Sequence, residues 1–110
     1  MALATHIWVS ALIRRANLNG AMAVVSRKGD PEAGVVYVRV WNSRMGQQSL
    51  FSQVRDGGGE LAWIEPLATS DADAHRTYLE KAEAFDADLW VIDIEDRDGR
   101  HFLTEKVLAR

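Results

Sequence analysis

Phe85-Asp86-Ala87-Asp88-Leu89-Trp90-Val91-Ile92-Asp93-Ile94-Glu95-Asp96 is the stretch whose reading decides the fold. Leu89 to Ile92 is an unbroken apolar run, and from Asp93 acidic and apolar residues alternate. An unbroken run marks a strand covered on both faces, and alternation marks one face emerging into water. The pattern therefore predicts a central strand over 88–95 that begins in the core and leaves it at its acidic end. Asp86 to Asp88 reads as the connection into it, and Asp96-Arg97-Asp98-Gly99-Arg100 as the turn that follows. His101, Phe102 and Leu103 are then expected to return as a short closing strand in a further hairpin. Glu105 to Arg110 is left as either a helical extension or a fraying end.

Upstream, Ser70-Asp71-Ala72-Asp73 supplies an N-cap with acids in the first turn, where the helix dipole favours negative charge. A helix over 71–85 follows, with His75, Tyr78, Leu79, Ala82 and Phe85 as its apolar stripe and an Arg76/Glu80 pair on its wet side. Pro66 ends the segment before it. Leu50 to Arg55 and Leu61 to Ile64 flank Asp56-Gly57-Gly58-Gly59 and read as a hairpin with a flexible glycine tip. Ala21 to Arg27 and Gly34 to Trp41 flank Lys28-Gly29-Asp30-Pro31-Glu32-Ala33 and read as another. In the second of these runs Val36, Val38 and Val40 share the drier face, and Asn42 to Gln47 is a turn. At the amino end Val9, Leu12, Ile13 and Ala16 fit a helix over 7–18 that stops at Asn19-Gly20, although Ile7, Val9, Ala11 and Ile13 also alternate as a strand would.

The order helix, hairpins, helix, strand gives an α+β fold: a mostly antiparallel sheet of about five or six strands with two helices packed against it. At 110 residues, 47% hydrophobic and 26% charged, residues 1–110 are expected to form a single domain. The amino terminus has no basic region followed by a long apolar run, so neither a signal peptide nor a membrane anchor is expected. The chain has no cysteine, which excludes disulfides, thiolate chemistry and Cys-ligated zinc and leaves the cytoplasm as the expected compartment.

Chemistry is sparse. His6, His75 and His101 stand in no metal-binding spacing, and no nucleophile elbow, phosphate loop or dinucleotide fingerprint is present. The acid followed by an Asp/Glu-x-Lys triplet that a restriction-endonuclease-like core requires is also missing. Asp93 and Glu95 lie on one face of the central strand about 7 Å apart, and with Asp88 they are candidates for a metal-dependent or acid/base hydrolase. The competing reading, a strand leaving the core with its acids paired to arginines, is favoured because no histidine or lysine is placed beside them. No metal and no cofactor is expected.

Charge is unevenly divided. Residues 1–55 carry seven Lys/Arg and two Asp/Glu, a balance of +5, whereas residues 56–110 carry six and fourteen, a balance of −8, together the −3 of the whole chain. Strands from the two halves must pair in one sheet, so Arg39 or Arg55 is expected to face Asp93 or Glu95. Arg14, Arg15, Arg27 and Lys28 are the candidate binding residues, a basic patch for an acidic protein surface or a second copy of the chain. Nucleic acid is a poor fit to a pI near 5.5. The expected role is a small non-catalytic binding or regulatory module, with the hydrolase as the alternative.

Three groups of residues also carry a likeness: Trp8-Val9-x-Ala11-x-x-Arg14-Arg15 with Gly20, then Arg27-Lys28-Gly29-Asp30-x-x-Ala33-Gly34, and Phe85-Asp86-x-Asp88-Leu89-Trp90-Val91-Ile92-x-Ile94-Glu95. Together they resemble the small alphaproteobacterial family catalogued as domain of unknown function number 1491, over nearly the whole chain. The resemblance implies a bacterial, single-domain, cytoplasmic protein and carries over no activity, cofactor or catalytic residue. Lys28 stands where that pattern has arginine, and Ala87 where it has proline.

Overall fold

A computed structural model describes residues 3–109, so Met1, Ala2 and Arg110, the ends of the two terminal segments read above, lie outside the described residues. In chain order the elements are α1 (Thr5–Leu18), β1 (Met22–Arg27), β2 (Val36–Asn42), β3 (Gln47–Arg55), β4 (Leu61–Ile64), α2 (Ala72–Phe85) and β5 (Trp90–Asp96). The strands form one sheet in the order β1-β5-β2-β3-β4. It is mostly antiparallel, with β2 and β5 as its parallel pair. This is the α+β architecture that the residue pattern indicates, with β5 in the interior as Leu89 to Ile92 require.

β5 enters where the sequence suggests a simple hairpin. β1 and β2 are not paired with each other; β5 lies between them, antiparallel to β1 and parallel to β2. The reason is burial. Trp90, Val91 and Ile92 are all buried, which demands neighbours on both edges and cover on both faces. Residues 28–35 are long enough to straddle one intervening strand, a gap of about 10 Å. That straddling loop is fastened to the start of β5: Asp30 N–H donates to Asp88 O (2.9 Å), Trp90 N–H to Val35 O (2.8 Å), and the Trp90 indole to Asp30 O (2.8 Å). Contact is so close that a Cβ on Gly29 or Gly34 would run into the Asp88 carbonyl.

The pleat sorts the sheet into two faces. Val36, Val38 and Val40 join Trp90, Ile92 and Ile94 beneath Val9, Leu12 and Ala16 of α1. On the opposite face Leu50, Leu89 and Val91 pack with Leu79 of α2, flanked by Tyr37, Tyr78 and Ala82. The strand alternative for 7–18 fails because Ile7 and Ala11, which a strand would bury beside Val9, are exposed, while the stripe at helical spacing is covered. No side chain caps α1. Its first donors are taken by the straddling loop, Thr5 N–H by Glu32 O (3.2 Å) and His6 N–H by Pro31 O (2.9 Å). Its end is as expected, with Gly20 in the left-handed region at φ 89°.

α2 begins at Asp71, whose side chain accepts from Asp73 N–H (3.1 Å). His75 and Leu79 are buried as read, but Phe85 is 94% exposed and does not belong to the stripe. At about 100° per residue Phe85 lies close to the side of the half-buried Tyr78 seven residues earlier, but it is the last residue of α2, and the helix ends before the stripe through His75, Leu79 and Ala82 returns at position 86.

β3 and β4 form the expected glycine-tipped hairpin. The second expected hairpin, after β5, is absent: residues 101–104 are irregular and Phe102 takes φ 60°. Both edges of β5 are already occupied, so no strand can pair there. The terminal segment goes instead to the free edge of β4, neither helical nor unattached, where Trp63 N–H donates to Lys106 O (3.0 Å) and Leu108 N–H to Trp63 O (2.7 Å).

Gly34→Ala is expected to cost about 2–3 kcal/mol or more, because the Asp88 carbonyl and the buried Trp90 indole must both yield. Gly57→Ala, with nothing within 4 Å of the added Cβ, should stay within about 0.5 kcal/mol. Trp90→Ala should cost about 3–5 kcal/mol. Chemical denaturation of the three variants checks this, and equal costs at Gly34 and Gly57 would refute the account of the straddling loop.

Candidate functional site

The carboxylates named as catalytic candidates do not converge. Asp93 and Glu95 share the α2 face of β5, but Asp88 precedes the strand, about 23 Å from Glu95 at the strand rise. Asp93 is engaged by Arg39, its partner in register, through two hydrogen bonds of 2.7 and 3.0 Å. That pairing is the Arg39–Asp93 contact expected from the charge division, and it raises the pKa of Arg39 against the opposing effect of burial. Arg55 instead donates to Gly59 O (3.4 Å). Further acids are paired too, Asp98 with Arg44 at 3.1 Å and Asp96 with Arg100 at 2.8 Å. Asp96 is buried, and the Arg100 guanidinium, helped by the backbone N–H groups of Arg100 and Asp98, holds its carboxyl down to about 2. Among the described residues no group of three or more His, Cys, Asp or Glu is placed to hold a metal ion.

His75 has a structural explanation. Gln48 Nε2 lies 2.9 Å from its Nδ1 and Thr69 O lies 2.8 Å from its Nε2, so each ring nitrogen has a partner. It joins α2 to β3 and to the loop before the helix.

The four basic candidates form two pairs at opposite ends of β1. Arg14 and Arg15 lie in the last turns of α1, next to Asn17, whose Oδ1 accepts from Ala23 N–H (2.9 Å) at the start of the strand. Arg15 Nε donates to Phe102 O (2.8 Å), and Arg14 is exposed. At the other end Arg27 donates to Ala87 O (3.0 Å) and lies 3.3 Å from Glu83, an ion pair whose buried Nε lacks hydrogen-bond geometry. Lys28 follows, exposed. The pairs are separated by the length of β1, about 17–20 Å, so they bracket a strand instead of merging into a patch.

That strand is an edge of the sheet, and its side chains are unusual for one. Met22 is 65% exposed, Val24 52% and Val25 41%, with no charge or proline among them. Beside it, the half of the sheet that α2 leaves uncovered forms a shallow cavity of about 320 Å³ between Met22, Val24, Trp41, Gln48 and the Arg39–Asp93 pair. The opposite edge, β4, is covered by the terminal segment.

A larger cavity of about 700 Å³ lies on the α1 face, between the start of α1 and the β3–β4 hairpin. Glu105 lines it. One of its carboxylate oxygens accepts from the Trp63 indole (3.0 Å), the other from the Trp8 indole (3.0 Å) and from Thr104 Oγ1 (3.2 Å). Burial pushes this carboxyl up, but the indole donors of Trp63 and Trp8 outweigh it, and the group stays below the usual carboxylate range. Sequence reasoning left Glu105 at the start of a segment read as either a helical extension or a fraying end. The available signal was the pair of tryptophans, each with an N–H that needs an acceptor once the ring is buried.

Both lowered carboxyls stabilise the fold above the ordinary carboxylate pKa, and that contribution is lost as pH falls through the lowered value. For Asp96 the loss is expected between about pH 4 and pH 2, and for Glu105 it starts just below the usual range. The Trp8 and Trp63 indole N–H resonances should move together over one acid transition in an NMR pH titration, with a midpoint below that of an ordinary glutamate. Glu105→Leu, which strands two indole donors, should cost about 2–4 kcal/mol. Independent transitions for the two indoles would disprove the shared carboxylate.

Comparison with known proteins places the fold. Residues 3–104 match the family described as "Protein of unknown function (DUF1491)". A crystal structure of a DUF1491 family protein from Caulobacter crescentus CB15 is 50% identical, with TM-score 0.94 over 97% of this chain and 100% of that one. An NMR structure of a DUF1491 family protein from the same organism is also 50% identical, with TM-score 0.92 over 99% of each chain. A solution structure from A. tumefaciens is 30% identical, with TM-score 0.82 over 100% of this chain and 99% of that one. No curated protein matches. With nearly the full length matched in both sequence and structure, the chain belongs to the DUF1491 family.

Proposed function

We propose that this protein is a small non-catalytic binding module that takes a protein partner, in the form of an extended acidic segment laid along β1. The observation that carries the reading is the inequality of the two sheet edges. β4 is covered by the chain's own terminal segment, while β1 presents Met22, Val24 and Val25 outward with no charge or proline among them, its Arg27 and register shift lying at the far end and its Ala23 N–H taken by Asn17. An open edge accepts another strand through backbone hydrogen bonds, and alternate side chains of the added strand supply specificity. The shallow cavity beside Trp41 is placed to receive one such side chain.

Charge selects the partner. Arg14 and Arg15 stand at one end of the strand, Arg27 and Lys28 at the other, and a segment of about six residues spans the interval. Arg15 and Arg27 each spend only part of a five-donor guanidinium on the protein. The fitting segment is therefore apolar in the middle with Asp or Glu at each end. Steering by these charges is expected to weaken as ionic strength rises.

Selection from a displayed peptide library, followed by amide NMR titration, tests this. Enriched peptides should carry acids flanking an apolar core and shift residues 22–28. Ala23 N–H points out of the sheet toward Asn17, so by the strand's period of two Val25 N–H also points outward. Val25→Pro should thus abolish binding while keeping the fold, and Arg14→Glu with Lys28→Glu should weaken it about tenfold or more. Peptides without acidic preference, or binding that survives Val25→Pro, would refute the reading. A doubled mass in light scattering that Val25→Pro abolishes would replace it with pairing between two copies.

A further inference from the structure

The cavity of about 700 Å³ on the α1 face is separate from the β1 edge, and its size is that of a small-ligand site. Its apolar walls come from Leu3, Trp8, Val54 and Leu61. Its polar groups include the carboxylates of Glu32 and Glu105 against one cation, Arg55, which is directed to Gly59 O.

Glu105 is the informative group. Three neutral donors reach its carboxylate, one on one oxygen and two on the other. The residue's own backbone N–H is a further donor to the carboxylate, so its roughly four acceptor positions are supplied by neutral groups alone. Among the described residues no lysine, arginine or histidine pairs with Glu105, whereas Asp93, Asp96 and Asp56 each have a cation within 4 Å; Asp30 and Asp86, half-buried as well, share its lack of an ion pair, but neither lines this cavity. A half-buried, ionised carboxylate served only by neutral donors, with no counter-charge, is normally costly to keep. Here it sits on a cavity, beside an indole ring whose π-face attracts cations. Its acceptors are fixed from below by two rings that the core holds in place, Trp63 fully buried and Trp8 stacked 5.3 Å from it.

We infer that this cavity binds a small amphipathic organic amine, its ammonium group on Glu105 over Trp8 and its apolar body against Val54 and Leu61. Glu32 at the same cavity adds a second negative charge, which excludes anionic isosteres. The binding is non-covalent and requires no metal or cofactor.

Three probes of matched shape decide the matter on the intact protein: phenethylamine, 2-phenylethanol and 3-phenylpropanoate. Phenethylamine should shift the Trp8 indole N–H and the Val54 and Leu61 amides saturably. It should bind at least about tenfold tighter than the alcohol, the scale of one charge-assisted contact. The propanoate should not bind. Glu105→Gln keeps an acceptor for one indole and sets an amide donor against the other, so its amide NMR spectrum is checked for the native fold, and it should weaken phenethylamine about tenfold. Glu32→Gln, at an exposed position that cannot upset the fold, should weaken it severalfold and reduce the margin over the alcohol. Equal binding of all three probes, no binding of the amine, or unchanged affinity in both variants would overturn the inference. Peptide binding at β1 is unaffected by any of these results, so failure here leaves that reading untouched.

Discussion

The rest of this structure depends on β5 being inserted between β1 and β2, and on the loop that bridges them across its start. Insertion satisfies the hydrogen-bonding groups and both faces of the strand with the largest buried share. It also sets two requirements elsewhere. The straddling loop must pass against the backbone at Asp88, which only glycine allows at positions 29 and 34. And the loop's carbonyls, displaced outward, become the cap for a helix that has no capping side chain of its own. One junction thereby joins the first helix, the first two strands and the last strand. The residues through which the chain resembles its family fall heavily on this junction: Gly29, Asp30, Gly34, Asp88 and Trp90 all make it.

Insertion also decides how charge is distributed. The parallel register of β2 on β5 puts Arg39 opposite Asp93, so a surplus cation of the first half meets a surplus anion of the second inside the sheet. Other acids of the strand's end are taken by Arg100 and Arg44. What remains of the basic first half is displaced to the margins of β1. Arg14 and Lys28 stay exposed there, with the family-pattern residue Phe85 exposed at the end of α2 not far along the chain from the Ala87 carbonyl that Arg27 holds.

The two sheet edges are treated differently for a physical reason. β4 is only four residues long and by itself would give a poorly held edge carrying the fully buried Trp63. The terminal segment covers it with backbone hydrogen bonds, supplies Glu105 as the acceptor for both Trp63 and Trp8, and ties Lys106 to Asp56 at 2.7 Å. Those contacts fasten the end of the chain to its beginning through two indoles and one carboxylate. β1 is longer, and its inner edge is paired with β5 at every residue but Ser26, where the register shifts. Its outer edge carries no covering strand of this chain.

Periodicity alone determined much of this protein. The helical stripe of α2 through Ala82, the dry face of Val36, Val38 and Val40, the buried character of Leu89 to Ile92 and the glycine turn between β3 and β4 are local consequences of side-chain spacing, and they were legible for that reason, whereas the spacing over 7–18 fitted a strand as well as the helix α1. Pairing partners were not, because adjacency in sequence favours hairpins, and only tertiary burial shows that β5 needs both of its edges. The same non-local cause placed the terminal segment on β4 and denied β5 a following hairpin. It also left Phe85 outside the core, since the helix ends before its stripe returns. The basic residues were visible as charges, but their separation into two pairs depended on where β1 came to lie. Glu105 was the least legible of all: one acid in a polar tail has no distinguishing pattern until folding brings two indole N–H groups, 97 and 42 residues away in the chain, to the same carboxylate.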